Sequence, residues 1–387
     1  MRTAAFTRVL KRSLCMLLSI VFSFSILMVG GCNKKVVIDD YPELSAPSTS
    51  GDDTQAEDVD ASENTSLGEV DSLFSEGKFH YNPEAINPTY LKELEKKPLT
   101  VSIAKKIMKA VYDCETEFVL TGDEKDIHEF EKGLKLACWS SPLVNCVDIT
   151  TDDYETFKVI YFPEYSDDGM TEGDVDEAKA KFEEYEDFVE GLINDNITDT
   201  DNYMQRAEKI YKALIEEIDI EHDLENLDLT VFQTNPMEGA AAGLNYDYVD
   251  VINTKKLTMW EFVQLYSFFL DELNVEHITI FGGGTEYNEQ ECELINEYMA
   301  KLRGTWVWTL VTDGENVYNC DILMDEMVLE EQRKVKPDYE SDMIYFGMSD
   351  KTRKESIIFT NRRYSMTMNQ AQQAQSANLP ECKEDYK

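Results

Sequence analysis

Residues 304–321 run GTWVWTLVTDGENVYNCD, and the interpretation of the fold turns on them. Large and β-branched residues alternate up to Thr312, Asp313-Gly314 marks a turn, and a second alternating stretch ends at Asp321. An Asp-Gly pair between alternating stretches favours a two-residue type I′ turn, whose central residues both take positive φ. Such a turn pairs Thr312 with Glu315, Leu310 with Val317, Trp308 with Asn319 and Trp306 with Asp321. Opposed residues share a face of the sheet. Trp306, Trp308, Asn319 and Asp321 are therefore expected on one face, with Cys320 on the other. Two roles are open for Asp321: to accept the Trp306 indole N–H as a partly buried carboxylate, or to sit solvated at the strand end.

Upstream, Thr258 is placed to cap a helix over Met259 to Leu273, in which Phe262, Leu265, Tyr266, Phe269, Leu270 and Leu273 form an i, i+3, i+4 stripe. Asn274 suits the left-handed residue that ends a helix. His277 to Phe281 reads as a strand, Gly282-Gly283-Gly284 as a loop, and Met343 to Met348 as a short apolar stretch. The earlier region, 80–225, mixes helix and strand. Ser102 to Tyr112 carries helical spacing, Cys138 to Tyr165 carries strand signals, and Phe157 to Phe162 reads as a strand ended by Pro163. Ser166-Asp167-Asp168-Gly169 reads as a turn, because its acids lack the alternation of a calcium loop. Asp174 to Ile193 is an acidic amphipathic helix. Asp201 is expected to cap the next one, whose apolar face is Met204, Ala207, Ile210, Tyr211, Leu214, Ile215 and Ile218. Within the tail, 354–387, the stretch Met366 to Lys387 is Gln/Asn-rich at first and is expected to pack loosely.

The first residues are a different kind of polymer. Arg2, Arg8, Lys11 and Arg12 precede a run from Leu17 to Val29 that is apolar apart from its serines, and Gly30-Gly31-Cys32 follows. A basic head, a short apolar run and small residues describe an export signal. The Gly-Gly-Cys end resembles the lipobox of bacterial lipoproteins, which implies cleavage after residue 31 and lipidation of Cys32. The alternative is an uncut signal anchor. Residues 32–79 are rich in Asp, Glu, Ser, Thr and Pro and read as a flexible, self-repelling tether. The expected location is therefore the cell membrane, lipid-anchored and facing outside the cytoplasm.

With 77 acidic and 36 basic residues the formal net charge is −41, which excludes nucleic acid as a partner on electrostatic grounds. Beyond Cys32 stand Cys114, Cys138, Cys146, Cys292, Cys320 and Cys382, with no CxxC pair and no histidine at ligand spacing. No zinc site is read from them, and no other metal or cofactor. They fit either disulfides or small buried hydrophobes.

Residues from about 100 to 350, most closely 257–350, resemble the transglutaminase-like branch of the papain-like superfamily, with 226–353 as its core. In that family a helix starts at a nucleophilic Cys and closes at Leu-Gly-Ile; His-Ala-Trp-Asn then opens a hairpin that returns through Trp-Tyr to an Asp, and a Tyr-Phe-Leu-x-Ser-Asp element follows. Here Leu273-Asn274-Val275, Trp306-Val307-Trp308-Thr309, Val317-Tyr318, Asp321 and Tyr345-Phe346-Gly347-Met348-Ser349-Asp350 occupy the corresponding places. The resemblance implies an α+β fold, a helix packed on an antiparallel sheet, preceded by the mixed region. It also implies a triad reduced to Met259, Trp306 and Asp321. A thioether cannot become a thiolate, and an indole N–H donates without accepting. Acyl transfer would then lack both nucleophile and base.

The function expected from this is a non-catalytic surface lipoprotein whose degenerate module serves as a binding or scaffold domain. Trp306, Trp308, Trp260 and Tyr266 either grip a cell-wall sugar or peptide by stacking or fill the vacated cleft as core. The alternative is an active extracellular thiol peptidase or acyltransferase with a displaced nucleophile, Cys292 or Cys320. His80, His128, His222 and His277 are taken as surface or structural residues. A two-lobed solute-capturing protein is disfavoured, because strand and helix do not alternate regularly.

Overall fold

A computed structural model of the chain describes residues 73–151, 153, 155–166, 169–171, 173–220, 249, 251–282, 306–356, 362–365 and 379–386. The leader, Cys32, most of the tether, His222, Cys292 and Gly283-Gly284 lie outside them, as do the side chains of Met259 and Trp260. The fold is mixed helix and sheet, as expected for an α+β chain.

In chain order the elements are β1 (Phe74–Ser75), β2 (Lys78–Phe79), α1 (Pro88–Glu93), α2 (Pro98–Tyr112), β3 (Glu117–Val119) and α3 (Ile127–Ser140). Next come β4 (Val147–Thr150), β5 (Thr156–Tyr161), β6 (Glu164–Ser166), β7 (Gly169–Thr171), α4 (Val175–Asn196), α5 (Tyr203–Glu217) and β8 (Asp219–Ile220). The second half holds α6 (Val251–Thr254), β9 (Lys256–Leu257), α7 (Met259–Glu272), β10 (His277–Gly282), β11 (Trp306–Thr312), β12 (Val317–Cys320), α8 (Ile322–Val335), α9 (Asp350–Ser356) and β13 (Arg362–Ser365).

In the first half, α2 begins four residues before the expected Ser102, since Pro98 is tolerated in a first turn where its missing N–H is not needed. It packs against α3, where Phe130, Gly133, Leu136, Ala137 and Ser140 are buried at helical spacing. Cys138 is thus helical, which corrects the strand signal read from it; β4 starts only at Val147. Strands β3, β4 and β5 make one antiparallel sheet in the order β3-β5-β4. The acidic helix expected from Asp174 is α4, and the Asp174 side chain caps it by accepting Asp176 N–H. The cap of α5 is Asn202, not Asp201. Asn202 and Gln205 exchange hydrogen bonds as a capping box, while Asp201 accepts from Thr198 N–H and Lys209. The apolar face expected for α5 is buried from Met204 to Ile218.

The second half is built around α7. Thr258 and Glu261 form its capping box, and Asn274 takes the left-handed conformation (φ 53°) just beyond its end. The stripe from Phe262 to Leu273 is buried, but so are Val263, Gln264 and Ser267 on the other side. A helix buried all round is central rather than amphipathic. The aromatic pair Tyr211–Tyr266 joins it to α5, and the sheet β12-β11-β10-β13, antiparallel throughout, packs against it. One apolar core runs continuously from Phe74 to Cys382. The described end of the tail packs closely, against expectation. Asp350 N–H donates to the Cys382 carbonyl (2.8 Å), and the Tyr386 ring packs on Tyr318 and Phe346.

The hairpin closes through four residues, not two: Thr312 pairs with Val317 and Leu310 with Asn319. Only Gly314 in the loop has positive φ (97°), so the type I′ geometry is absent. The Asp313 carboxylate accepts from Glu315 N–H (2.8 Å) and Asn316 N–H (2.7 Å), which builds the wider turn. The register moves by two residues, and a shift of two leaves every side chain on its predicted face.

Gly133 sits where α2 and α3 come closest, and a Cβ there would lie 2.5 Å from Ile103 Cγ2 and 2.8 Å from its Cβ. Alanine gains about 1 kcal/mol over glycine inside a helix, whereas overpacking costs about 1–3 kcal/mol. Gly133→Ala is expected to lower the thermal midpoint. A midpoint equal to or above the parent's would refute the close helix contact.

Candidate functional site

Asp321 follows β12 directly and caps α8, accepting Met324 N–H at 3.3 Å. Its carboxylate is fully buried. The Trp306 indole N–H lies 3.1 and 3.0 Å from its two oxygens. The solvated alternative is therefore excluded and the donor alternative holds. The two residues meet although β12 has ended, because the chain turns into α8 at Asp321 itself.

Sequence reasoning missed a third partner. Arg353, on α9, donates from Nη1 to Asp321 Oδ2 at 2.8 Å and is itself 2% exposed. Its guanidinium lies 4.0 Å from the centre of the Trp308 ring, a cation–π arrangement. Trp308 in turn donates to Asn319 Oδ1 (3.0 Å), and Asn319 Nδ2 donates to the Met348 carbonyl and Asp350. The Tyr345 carbonyl accepts from Asp321 N–H, and Asn319 and Met348 exchange backbone bonds. The hairpin, the start of α8, residues 345–350 and α9 thus converge on one buried charge. No spacing marks Arg353 in advance. It lies 32 residues from Asp321, and its partner follows from tertiary packing alone.

Burial pushes the Asp321 pKa up, and the charge and hydrogen bond of Arg353, with the Trp306 and Met324 donors, pull it only part of the way back. Its oxygens accept from the N–H groups of Trp306, Met324 and Arg353. The geometry is that of a carboxylate.

Of the residues singled out in the sequence, Trp306 and Asp321 are brought together. Met259 opens α7, but its side chain, like that of Trp260, lies outside what is described. Of the two readings of these rings, core filling holds for Trp306, Trp308 and Tyr266, and the stacking face is corrected. All three are at most 1% exposed, because the two indoles are packed around a buried ion pair and Tyr266 between helices.

Among the described cysteines no disulfide forms. Cys320 is fully buried, and burial raises its thiol pKa far above the reactive range. That removes it as the displaced nucleophile; Cys292 lies outside the described residues. His277 does not serve Asp321 either. It pairs with Val311, whereas Trp306 pairs with Gly282 five residues along the same strand, a separation of roughly 17 Å at the usual strand rise. His80 and His128 are exposed. No group of three or more His, Cys, Asp or Glu among the described residues is arranged to hold a metal ion.

No family model matches the chain, and no curated protein matches it.

Trp306→Phe keeps the ring but removes one donor from a buried carboxylate and is expected to cost about 1–3 kcal/mol of unfolding free energy. Arg353→Met leaves the carboxylate without its cation and is expected to cost more, about 3–5 kcal/mol. Urea unfolding of both variants tests the order. Parent-like stability of Arg353→Met would mean that Asp321 is neutral in the fold.

Proposed function

We propose that the chain is a non-catalytic lipoprotein held outside the cytoplasmic membrane through Cys32. Its transglutaminase-like core has lost its chemistry and kept its framework as a scaffold. The observation that carries this is the Trp306–Asp321 contact. Where the family places an imidazole that must accept a proton, this chain has an indole that only donates. The carboxylate that would orient the base is closed off by Arg353 and has no exposure to a substrate. With Trp306, Trp308 and Tyr266 sealed into the core, a sugar or peptide partner would have to be met on another face. The large negative charge keeps such a face solvated.

Two experiments test this. Incubating the native protein with a thiol-directed electrophile at neutral pH is expected to give only slow labelling of partly exposed cysteines such as Cys114 and Cys138, none of it blocked by a substrate-like peptide. Rapid labelling of one cysteine, blocked by a substrate-like peptide, would establish the peptidase alternative instead. The second builds the missing groups back as Met259→Cys with Trp306→His. The thiol introduced at 259 is expected to alkylate roughly ten-fold faster at pH 6.5 in the double variant than in Met259→Cys alone, because a neighbouring imidazolium stabilises the thiolate. Equal rates would show that the two positions do not face each other and would remove the family resemblance.

A further inference from the structure

The one buried histidine among the described residues is held in a single protonation state by geometry. His277, 3% exposed, begins β10, and Asn87, 1% exposed, caps α1. The Asn87 amide cannot be turned over. Its Oδ1 accepts Thr89 N–H (2.9 Å), and its Nδ2 donates to the His277 carbonyl (3.2 Å). The same Nδ2 lies 3.1 Å from His277 Nε2, so Nε2 must carry the lone pair. The proton is then on Nδ1, which donates to the Val275 carbonyl at 3.0 Å. A protonated imidazole would set an N–H against the amide N–H of Asn87. Burial acts in the same direction and pushes the His277 pKa down to about 4.

The charged and titratable groups around it do not reverse this. On α7, Asp271 Oδ1 lies 3.8 Å from Nε2, and burial raises the Asp271 pKa well above the ordinary range, with Glu272 beside it adding to the effect. Glu272, likewise pushed up by burial, accepts Asn82 N–H (3.0 Å). On α1, Tyr90 is buried and Lys92 pairs with Glu276, the residue before His277. Glu93 is felt at Tyr90.

We infer that Asn87 and His277 form an acid-sensitive clasp that holds residues 82–94 to the sheet and lets them go when the imidazole takes up a proton. The sign follows from linkage. Closed, the imidazole is neutral; open, it has the ordinary histidine pKa of about 6.5. Below that pH the open state binds the extra proton, so opening is favoured about ten-fold per pH unit until the closed state also titrates near 4. The segment lies on the N-terminal side of the domain. That it leads to a lipid anchor rests on the function proposed above, but the clasp does not, and it can be tested whether or not Cys32 is lipidated. With an anchor, acid would lengthen the reach of the domain from its membrane.

The test is amide hydrogen exchange on the protein at pH 7 and pH 4.5, corrected for intrinsic rates, with NMR of the imidazole. Protection of Leu91 and Leu94, whose amides bond back to Asn87 and Tyr90, is expected to fall about 100-fold at pH 4.5. Helices α4 and α5 should change less. The imidazole of the unmodified protein should carry its proton on Nδ1 and titrate below pH 5. His277→Gln, which cannot titrate, should abolish the difference between the two pH values. If that variant does not fold, the NMR titration of the parent decides alone. Unchanged protection in the parent, an equal loss in His277→Gln, or an imidazole that titrates near 6.5 overturns the clasp. So does acid release that appears only in Asp271→Asn, since Asp271 would then be neutralising the imidazolium by ion pairing.

Discussion

A carboxylate with no exposure to water must be surrounded by donors or surrender its charge. Asp321 meets that condition from four directions, through the Trp306 indole, the Arg353 guanidinium, the amide of Met324 and its position at the start of α8. Each donor belongs to a different part of the chain or turns it. The arrangement fixes where the hairpin ends, where α8 begins and where α9 docks. Trp308 extends it, with one face under Arg353 and its N–H on Asn319, and Asn319 ties in residues 348 and 350. Within a low-dielectric interior these contacts are strong only together. Loss of any one leaves the others facing an under-compensated charge.

The hairpin shows how much of this was legible beforehand. Turn chemistry gave the wrong loop length, because the Asp313 side chain builds a wider turn than Asp-Gly usually makes. Yet the face shared by Trp306, Trp308, Asn319 and Asp321 survived, since pleating has a period of two and the error was two. Helix ends marked by local hydrogen bonds were also legible, as at Thr258 and Asn274. At the start of α5 the residue order pointed to Asp201, whereas Asn202 caps, and the contacts that occupy Asp201, with Thr198 and Lys209, were not visible in that order alone. The stripe on α7 was read correctly but one-sidedly. Val263, Gln264 and Ser267 carry no signal that a second layer covers them. Arg353 and the docked residues 379–386 were illegible for the same reason, as long-range contacts between segments of ordinary composition.

A chain with 77 acidic residues must decide what to do with those that fall inside. Asp321 keeps its charge because a cation reaches it. Asp271, Glu272, Asp325 and Glu326 have no Lys or Arg within ion-pair distance among the described residues, and they take the other course. Burial pushes Asp325 up to about 7, and burial together with the neighbouring Glu330 pushes Glu326 up to about 8. Tyr211 O–H at 2.5 Å and Tyr345 N–H at 3.1 Å hold Asp325 in place. Buried carboxyls without a cation are held as acids or near-acids, and His277 without a usable carboxylate is held as a base. Among these fully buried groups Asp321, in contact with Arg353, is the exception.

That exception bears on chemistry as much as on stability. To orient a catalytic base, a carboxylate needs one donor that can also give up its lone pair to a substrate proton on the far side. An imidazole offers both nitrogens for this. An indole offers only the N–H, so Trp306 can reproduce the orienting contact and nothing beyond it. Arg353 then takes Oδ2 with a group that stays protonated at any accessible pH. The donors that let Asp321 remain ionised in a dry interior are therefore the same ones that bar it from proton transfer.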